Sequence, residues 1–138
     1  MDGRGIAAAF ALGALGVQMG TAFLTCTESA AHLKHKEAIL NSTEEQSCVT
    51  RTFSGKPARG IRNRFKTEME SISLPGYPIQ ETLTGDICKA AAEQNNPDFM
   101  KLWAGQASPL SRSLTVKELF DRLVAETEGV VAQLNESR

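Results

Sequence analysis

The sequence predicts an α/β chain, mostly helical, that forms one piece of a larger layered fold. Three observations carry this. The opening Gly5 to Thr25 has no charged residue and divides into an Ala-rich stretch, a glycine turn and a short apolar run. Helical periodicities recur along the rest of the chain, whereas only two short runs suit a strand. One or two strands cannot bury both faces unless they join a larger sheet.

The elements follow in order. Ile6 to Leu15 reads as a helix whose Ile6, Phe10 and Leu15 share one side. Gly16-Val17-Gln18-Met19-Gly20 reads as a short strand ending at a glycine. Thr27 to Leu40 reads as a helix, with Thr27, Glu28 and Ser29 as cap and first-turn candidates. Its His32, Lys34, His35, Lys36 and Glu37 give a solvated face. Asn41 to Ser47 is polar and turn-like. Cys48 to Phe53 is β-branched and ends at Ser54-Gly55, which predicts a strand.

Pro57 to Gly60 reads as a connector, and Ile61, Phe65 and Met69 at i, i+4, i+8 predict a helix. Leu74 to Pro78 is a Pro/Gly loop. Ile79, Leu83 and Ile87 repeat the helical spacing, and Asn95-Asn96-Pro97 ends that helix. Pro97 suits the first turn of a short helix through Trp103. Ala104 to Ser113 is a Gly/Ser/Pro loop. Thr115 and Glu118 form a capping box that opens the last helix, striped by Val116, Leu119, Phe120, Leu123, Val124, Val131 and Leu134.

Composition narrows the function classes. With 41% hydrophobic and 22% charged residues, the 138-residue chain has globular proportions, which excludes disorder, collagen-like repeats and coiled coil. A net charge of −1 excludes a polyelectrolyte binder. Cys26, Cys48 and Cys88 are odd in number and widely spaced, the pattern of reduced thiols in a cytosolic protein. The uncharged opening followed by Cys26 raises a membrane or lipoprotein reading. Met1 to Arg4 holds one acid and one base rather than a positive run, and glycines punctuate the segment, so a cytoplasmic protein without a membrane partner is expected.

Four places could carry chemistry. Asp2-Gly3-Arg4-Gly5 opens a helix with glycines, where backbone N–H groups can face an anion; an ordinary Asp-Gly turn gives the same pattern. Gly20-Thr21 ends the expected strand with a permissive backbone and a hydroxyl, at the edge where α/β folds bind ligands; a plain βα turn is the structural alternative. Arg51, Lys56, Arg59, Arg62, Arg64 and Lys66 form a run that no acid interrupts, suited to an anionic partner or to a solvated face with structural arginines. The latter is expected, with no nucleic acid bound. His32 and His35 stand beside lysines without a partner set for a triad or a metal.

Six stretches in order then resemble one family. They are Asp2 to Ala9, Gly16 to Leu24, Glu28 to His32, Arg51 to Asn63, Tyr77 to Gln80 and Leu102 to Gln106, and they look like the second half of nitronate monooxygenases. The resemblance runs from Asp2 to about Glu128. It implies the C-terminal part of an FMN-binding TIM-type (β/α)8 barrel with a helical substrate-domain insertion, the barrel being incomplete here. Residues 1–24 would be the last βα units with the phosphate loops, 25–113 the substrate-domain-like segment, and 114–138 a helix packing on the barrel.

The implied activity is oxidation of alkyl nitronates by O2 to a carbonyl compound and nitrite. Gln18, Met19, Gly20 and Thr21 match the family's contact to the FMN phosphate. No catalytic residue carries over, because the family's catalytic histidine belongs to an earlier part of its sequence, and His32 and His35 fall elsewhere. The chain is accordingly expected to be a fragment, inactive alone. FMN-dependent enoyl-acyl-carrier-protein reductases share the Asp2 to Gly5 and Gly16 to Thr21 words; the stretch Phe53 to Asn63 and Leu102 to Gln106 favour the monooxygenases. A small binding protein using residues 51–66 is the non-enzymatic alternative.

Overall fold

A computed structural model describes residues 2–136. In chain order it contains α1 (Gly3–Ala11), α2 (Thr21–Leu24), α3 (Leu33–Leu40), β1 (Ser47–Thr50), β2 (Ala58–Ile61), α4 (Arg64–Met69), α5 (Ile79–Glu93) and α6 (Val116–Glu136), with short 3-10 turns between some of them. The chain divides into two compact units, one of residues 1–30 with 110–138 and one of residues 31–109. Among the described residues no helix is long and apolar enough to cross a membrane.

The first unit is built on α1 against α6. Asp2 caps α1 by accepting the Gly5 N–H at 3.2 Å, the role its short side chain suits. Ile6, Ala22, Cys26, Leu119 and Leu123 form the core, with Met19, Phe23 and Leu114 packed on it. Gly3 sets the approach of the two helices. A Cβ there would lie 2.4 Å from Glu126 Cβ and 2.5 Å from the Thr127 nitrogen. The capping box of α6 forms as expected: Thr115 N–H donates to Glu118 Oε2 at 2.8 Å, and Glu118 N–H to Thr115 Oγ1 at 3.2 Å. Glu28 adds to it by accepting the Val116 N–H at 2.9 Å.

The second unit is built around Phe53, which is fully buried and meets Phe65 at 5.2 Å and Trp103 at 5.6 Å between ring centroids. Strands β1 and β2 pair antiparallel, Ser47 opposite Ile61 and Thr50 opposite Ala58. The segment Leu102 to Ala104 lies along the other side of β2, through Ile61 N–H to Leu102 O at 2.8 Å and Ala104 N–H to Arg59 O at 3.3 Å. Gly55, at φ 79°, makes the turn that a side chain would strain.

Helix α5 buries Gln80, Thr84 and Ala91 rather than the predicted row of Ile79, Leu83 and Ile87, which stay exposed. The reason is the irregular backbone beneath it. Gln80 Nε2 donates to Thr52 O at 2.6 Å, and Thr84 Oγ1 to Phe53 O at 2.6 Å. A buried carbonyl without a partner costs about 1–3 kcal/mol, so the polar face wins.

Several expectations need correction. Residues 16–20 form no strand, because no neighbouring chain segment among the described residues offers them a ladder. The only sheet among those residues is the β1–β2 hairpin, and its second strand was expected to be a connector running into a helix at Ile61. Helix α3 begins at Leu33, not Thr27, with His32 as its cap accepting the Lys34 N–H at 3.1 Å. The predicted helix through Trp103 is a single turn, Pro97–Phe99. Of the predicted α6 stripe, only Leu119 and Leu123 are buried.

Among the described residues Lys66 is the one buried cation, 3% exposed. Its Nζ donates to Ile61 O at 2.6 Å and lies 5.9 Å from the Phe53 ring and 5.5 Å from the Trp103 ring. Burial pushes its pKa down to about 8, with Cys48 opposing and Arg62 reinforcing that shift.

Two outcomes follow. Gly3→Ala forces α1 away from α6 and destabilises the chain by about 1–3 kcal/mol, read as a lowered urea midpoint. Lys66 gives a pH dependence whose sign is fixed. Below pH 8 folded and unfolded chains both carry the ammonium, and the folded one bears the cost of burying it. Between 8 and the ordinary 10.5 only the unfolded chain is protonated at this site, so stability rises with pH across that window. Urea titrations of the parent and Lys66→Met at several pH values should show the rise in the parent and its loss in the variant.

Candidate functional site

The two loops that sequence reasoning singled out for an anion differ sharply in the structure. At the first, the N–H groups are already engaged. Gly3 N–H donates to Glu126 Oε2 at 2.9 Å and Gly5 N–H to Asp2 Oδ1. The Gly3 N–H holds the Glu126 carboxyl below its usual range, with Arg122 helping. The Arg4 guanidinium, bonded to Asp2 Oδ2 at 2.7 Å, does the same for Asp2. Two carboxylates at the start of α1 use the helix N-terminus that an anion would need. Asp2 to Gly5 is therefore a self-contained cap.

The second loop is open. Gln18 and Gly20 are exposed, and Met19 and Thr21 are half-buried. Met19 turns its side chain onto the core cluster. It also lines an apolar groove of about 410 Å3 with Ile6, Phe10, Val17, Phe23 and Phe120. Gly20 precedes α2 with φ −112°, a conformation open to any residue. A Cβ at Gly20 would meet nothing within 4 Å. Neither the backbone nor internal packing explains a glycine here, in contrast to Gly3.

The remaining candidates are consumed by the fold. In the basic run, Arg62 pairs with Glu70 at 3.2 Å and Arg64 with Glu68 at 2.6 Å. Arg59 donates to Ser47 Oγ at 3.0 Å, and Lys56 sits 4.0 Å over the Tyr77 ring. His35 is not a surface residue. It is half-buried, its Nε2 is 2.9 Å from Trp103 O, and burial lowers its pKa against the opposing effect of that carbonyl. Cys26, Cys48 and Cys88 form no disulfide, and among the described residues no group of three or more His, Cys, Asp or Glu could hold a metal. Sequence reasoning missed Glu28 as an added partner of the α6 cap and Glu126 as the partner of Gly3. Both act across long sequence separations, where local spacing carries no signal.

Comparison with known proteins gives a consistent picture. A family model described as nitronate monooxygenase matches residues 1–126. A probable nitronate monooxygenase of Staphylococcus haemolyticus is 48% identical over 133 residues, which is 95% of this chain and 37% of the relative. One from Staphylococcus aureus strain Newman is 42% identical, over 95% of this chain and 38% of its own. The chain thus spans less than two-fifths of the length of the curated relatives it matches. Among solved structures, a nitroalkane oxidase from Streptomyces ansochromogenes superposes with TM-score 0.92 at 39% identity, covering 97% of this chain and 39% of that one. FabK from Thermotoga maritima gives TM-score 0.83 at 30% identity, covering 99% and 44%.

The contrast between the two loops is measurable without any ligand. Gly20→Ala should cost less than about 1 kcal/mol, the range of a changed cap residue, because nothing stands where its methyl would go. A urea midpoint for Gly20→Ala as low as that of Gly3→Ala would contradict the open geometry.

Proposed function

Since this chain belongs to the nitronate monooxygenase family, we propose that it supplies the phosphate-binding end of an FMN site in an enzyme that oxidises alkyl nitronates with O2 to a carbonyl compound and nitrite. The observation that carries the reading is the exposed backbone at Gly20, with nothing standing where a side chain would go, inside the stretch that resembles the family's contact to the flavin phosphate.

The residues present fit that group. Gly20 lets the backbone approach a phosphate closely, and Thr21 adds a hydroxyl of the kind phosphate oxygens accept from. Gln18 adds an exposed amide. Met19 anchors the segment from behind by packing against the core cluster of the first unit. When bound, the flavin would supply the electron-transfer chemistry between nitronate and oxygen. This chain's part is to anchor the phosphate and so fix the flavin's position; its histidines have no role in the oxidation. We read residues 1–24 and 114–138 as the portion of a TIM-type barrel and 25–113 as the substrate domain. The partners on this reading are a small-molecule nitronate and O2, in the cytoplasm.

The test is titration of the chain with FMN and with riboflavin, followed by flavin fluorescence. FMN should bind more tightly than riboflavin, and Gly20→Val should weaken FMN at least about tenfold, or about 1.4 kcal/mol, without lowering the urea midpoint comparably. Equal binding of the two flavins, or of FMN to parent and variant, would show that these residues do not recognise the phosphate.

A further inference from the structure

The first unit has a cleft that the proposed oxidation does not use. Arg122, Glu126, Gly129, Val130 and Gln133 recur every three or four residues, so one side of α6 forms its wall. Asp2 and Arg4 at the start of α1, with Leu110 and Arg112 on the segment leading into α6, complete it. Its volume is about 420 Å3, within the range of small-molecule pockets. The groove at Met19 uses another side of the same helix, through Phe120, Val124 and Thr127.

The charges that line this cleft do not cancel. They are three guanidinium groups and two carboxylates, which leaves one positive charge in excess. Both carboxylates are already committed. Asp2 accepts from Arg4 Nη2 at 2.7 Å and from the Gly5 N–H at 3.2 Å. Glu126 accepts from Arg122 Nε at 2.6 Å and from the Gly3 N–H at 2.9 Å. Arg112 is the cation left over, since among the described residues its guanidinium pairs with no acid. Its backbone is anchored all the same: the buried Thr25 donates through Oγ1 to Arg112 O at 2.8 Å, while the side chain stays exposed. A guanidinium offers a carboxylate two parallel N–H donors.

The rest of the lining is apolar. Leu119 and Leu123 are buried, and Leu110 and Val130 are half-buried. An apolar surface with one unmatched cation selects for an alkyl chain that ends in one negative charge. A dianion would bring its second charge up against Asp2 and Glu126, and a neutral molecule would leave Arg112 unmatched.

We propose that this cleft is a binding site for a small alkyl carboxylate, its acid group on Arg112 and its chain along Leu110, Leu119, Leu123 and Val130. Arg4 and Arg122 keep their own partners and offset the two carboxylates beside them. The rim is exposed, so added salt weakens the attraction. The site is separate from Gln18 to Thr21 and stands independently of the FMN reading.

The experiment titrates the full chain with octanoate and follows its methyl groups by NMR, with octan-1-ol and acetate as controls. The expected shifts fall on Leu110 and Val130 and spare Val17 and Val124, which line the other groove. Octan-1-ol lacks the charge and acetate the chain, so each should bind at least about fivefold more weakly, and Arg112→Gln should weaken octanoate by a similar factor, the upper range for an exposed ion pair. Gly129→Leu fills the cleft. A Cβ there meets nothing within 4 Å, and leucine suits a helix better than glycine, so this variant should lose octanoate while its urea midpoint holds or rises. Gly20→Val should leave octanoate binding unchanged, which separates this site from the flavin loop. No shift at Leu110 or Val130 up to about 10 mM octanoate would overturn the proposal. So would octan-1-ol binding as well as octanoate, shifts centred on Val17 and Val124, or affinity untouched by Arg112→Gln and Gly129→Leu.

Discussion

Buried carbonyls that no ladder satisfies dictate much of this chain's packing. Its two strands are only four residues each, and the irregular stretches around them still run through the core. Their polar groups need partners, and side chains provide them. Gln80 and Thr84 serve Thr52 and Phe53. Asn63 Nδ2 donates to Pro97 O at 2.9 Å and to Met100 O at 3.0 Å. Lys66 serves Ile61, and in the first unit Thr25 Oγ1 donates to Arg112 O at 2.8 Å. Net gains per bond are near 1 kcal/mol, but leaving any one carbonyl bare costs more than that, so these side chains are fixed inside while apolar neighbours stay out.

That constraint separates what could be read from the sequence from what could not. Helices α1, α5 and α6 show in the sequence because their periodicity or capping residues are local, as with Thr115 and Glu118. The orientation of α5 does not, because the hydrophobic row Ile79, Leu83 and Ile87 argues for the opposite face, and the carbonyls that reverse it lie some thirty residues away. Strand β2 is hidden by Pro57 and by arginines that look solvated until Arg59 is seen bonded to Ser47. Residues 16–20 suit a short strand by their apolar run and closing glycine, but a local pattern cannot supply a neighbour to pair with. At the candidate site, the loop words were visible as motifs, while the decision between them rests on Glu126, more than a hundred residues from Gly3.

The two glycine loops illustrate how similar words serve opposite ends. Gly3 is small so that a helix can press against its own chain, and its N–H is claimed by an internal carboxylate. Gly20 is small with nothing of this chain nearby. Motif resemblance treats both loops alike; the carboxylates of Asp2 and Glu126 already occupy the N–H groups of the first.

The sole tryptophan of the chain, Trp103, stands edge-on to Phe53 with the Lys66 nitrogen 5.5 Å from its ring. An indole's emission energy responds to electric fields along its ring, and a unit charge at that distance in a poorly screened interior is a large perturbation. The protein thus carries an optical voltmeter for its own buried amine. The colour and yield of its intrinsic fluorescence report whether that nitrogen is charged or neutral, with no label added.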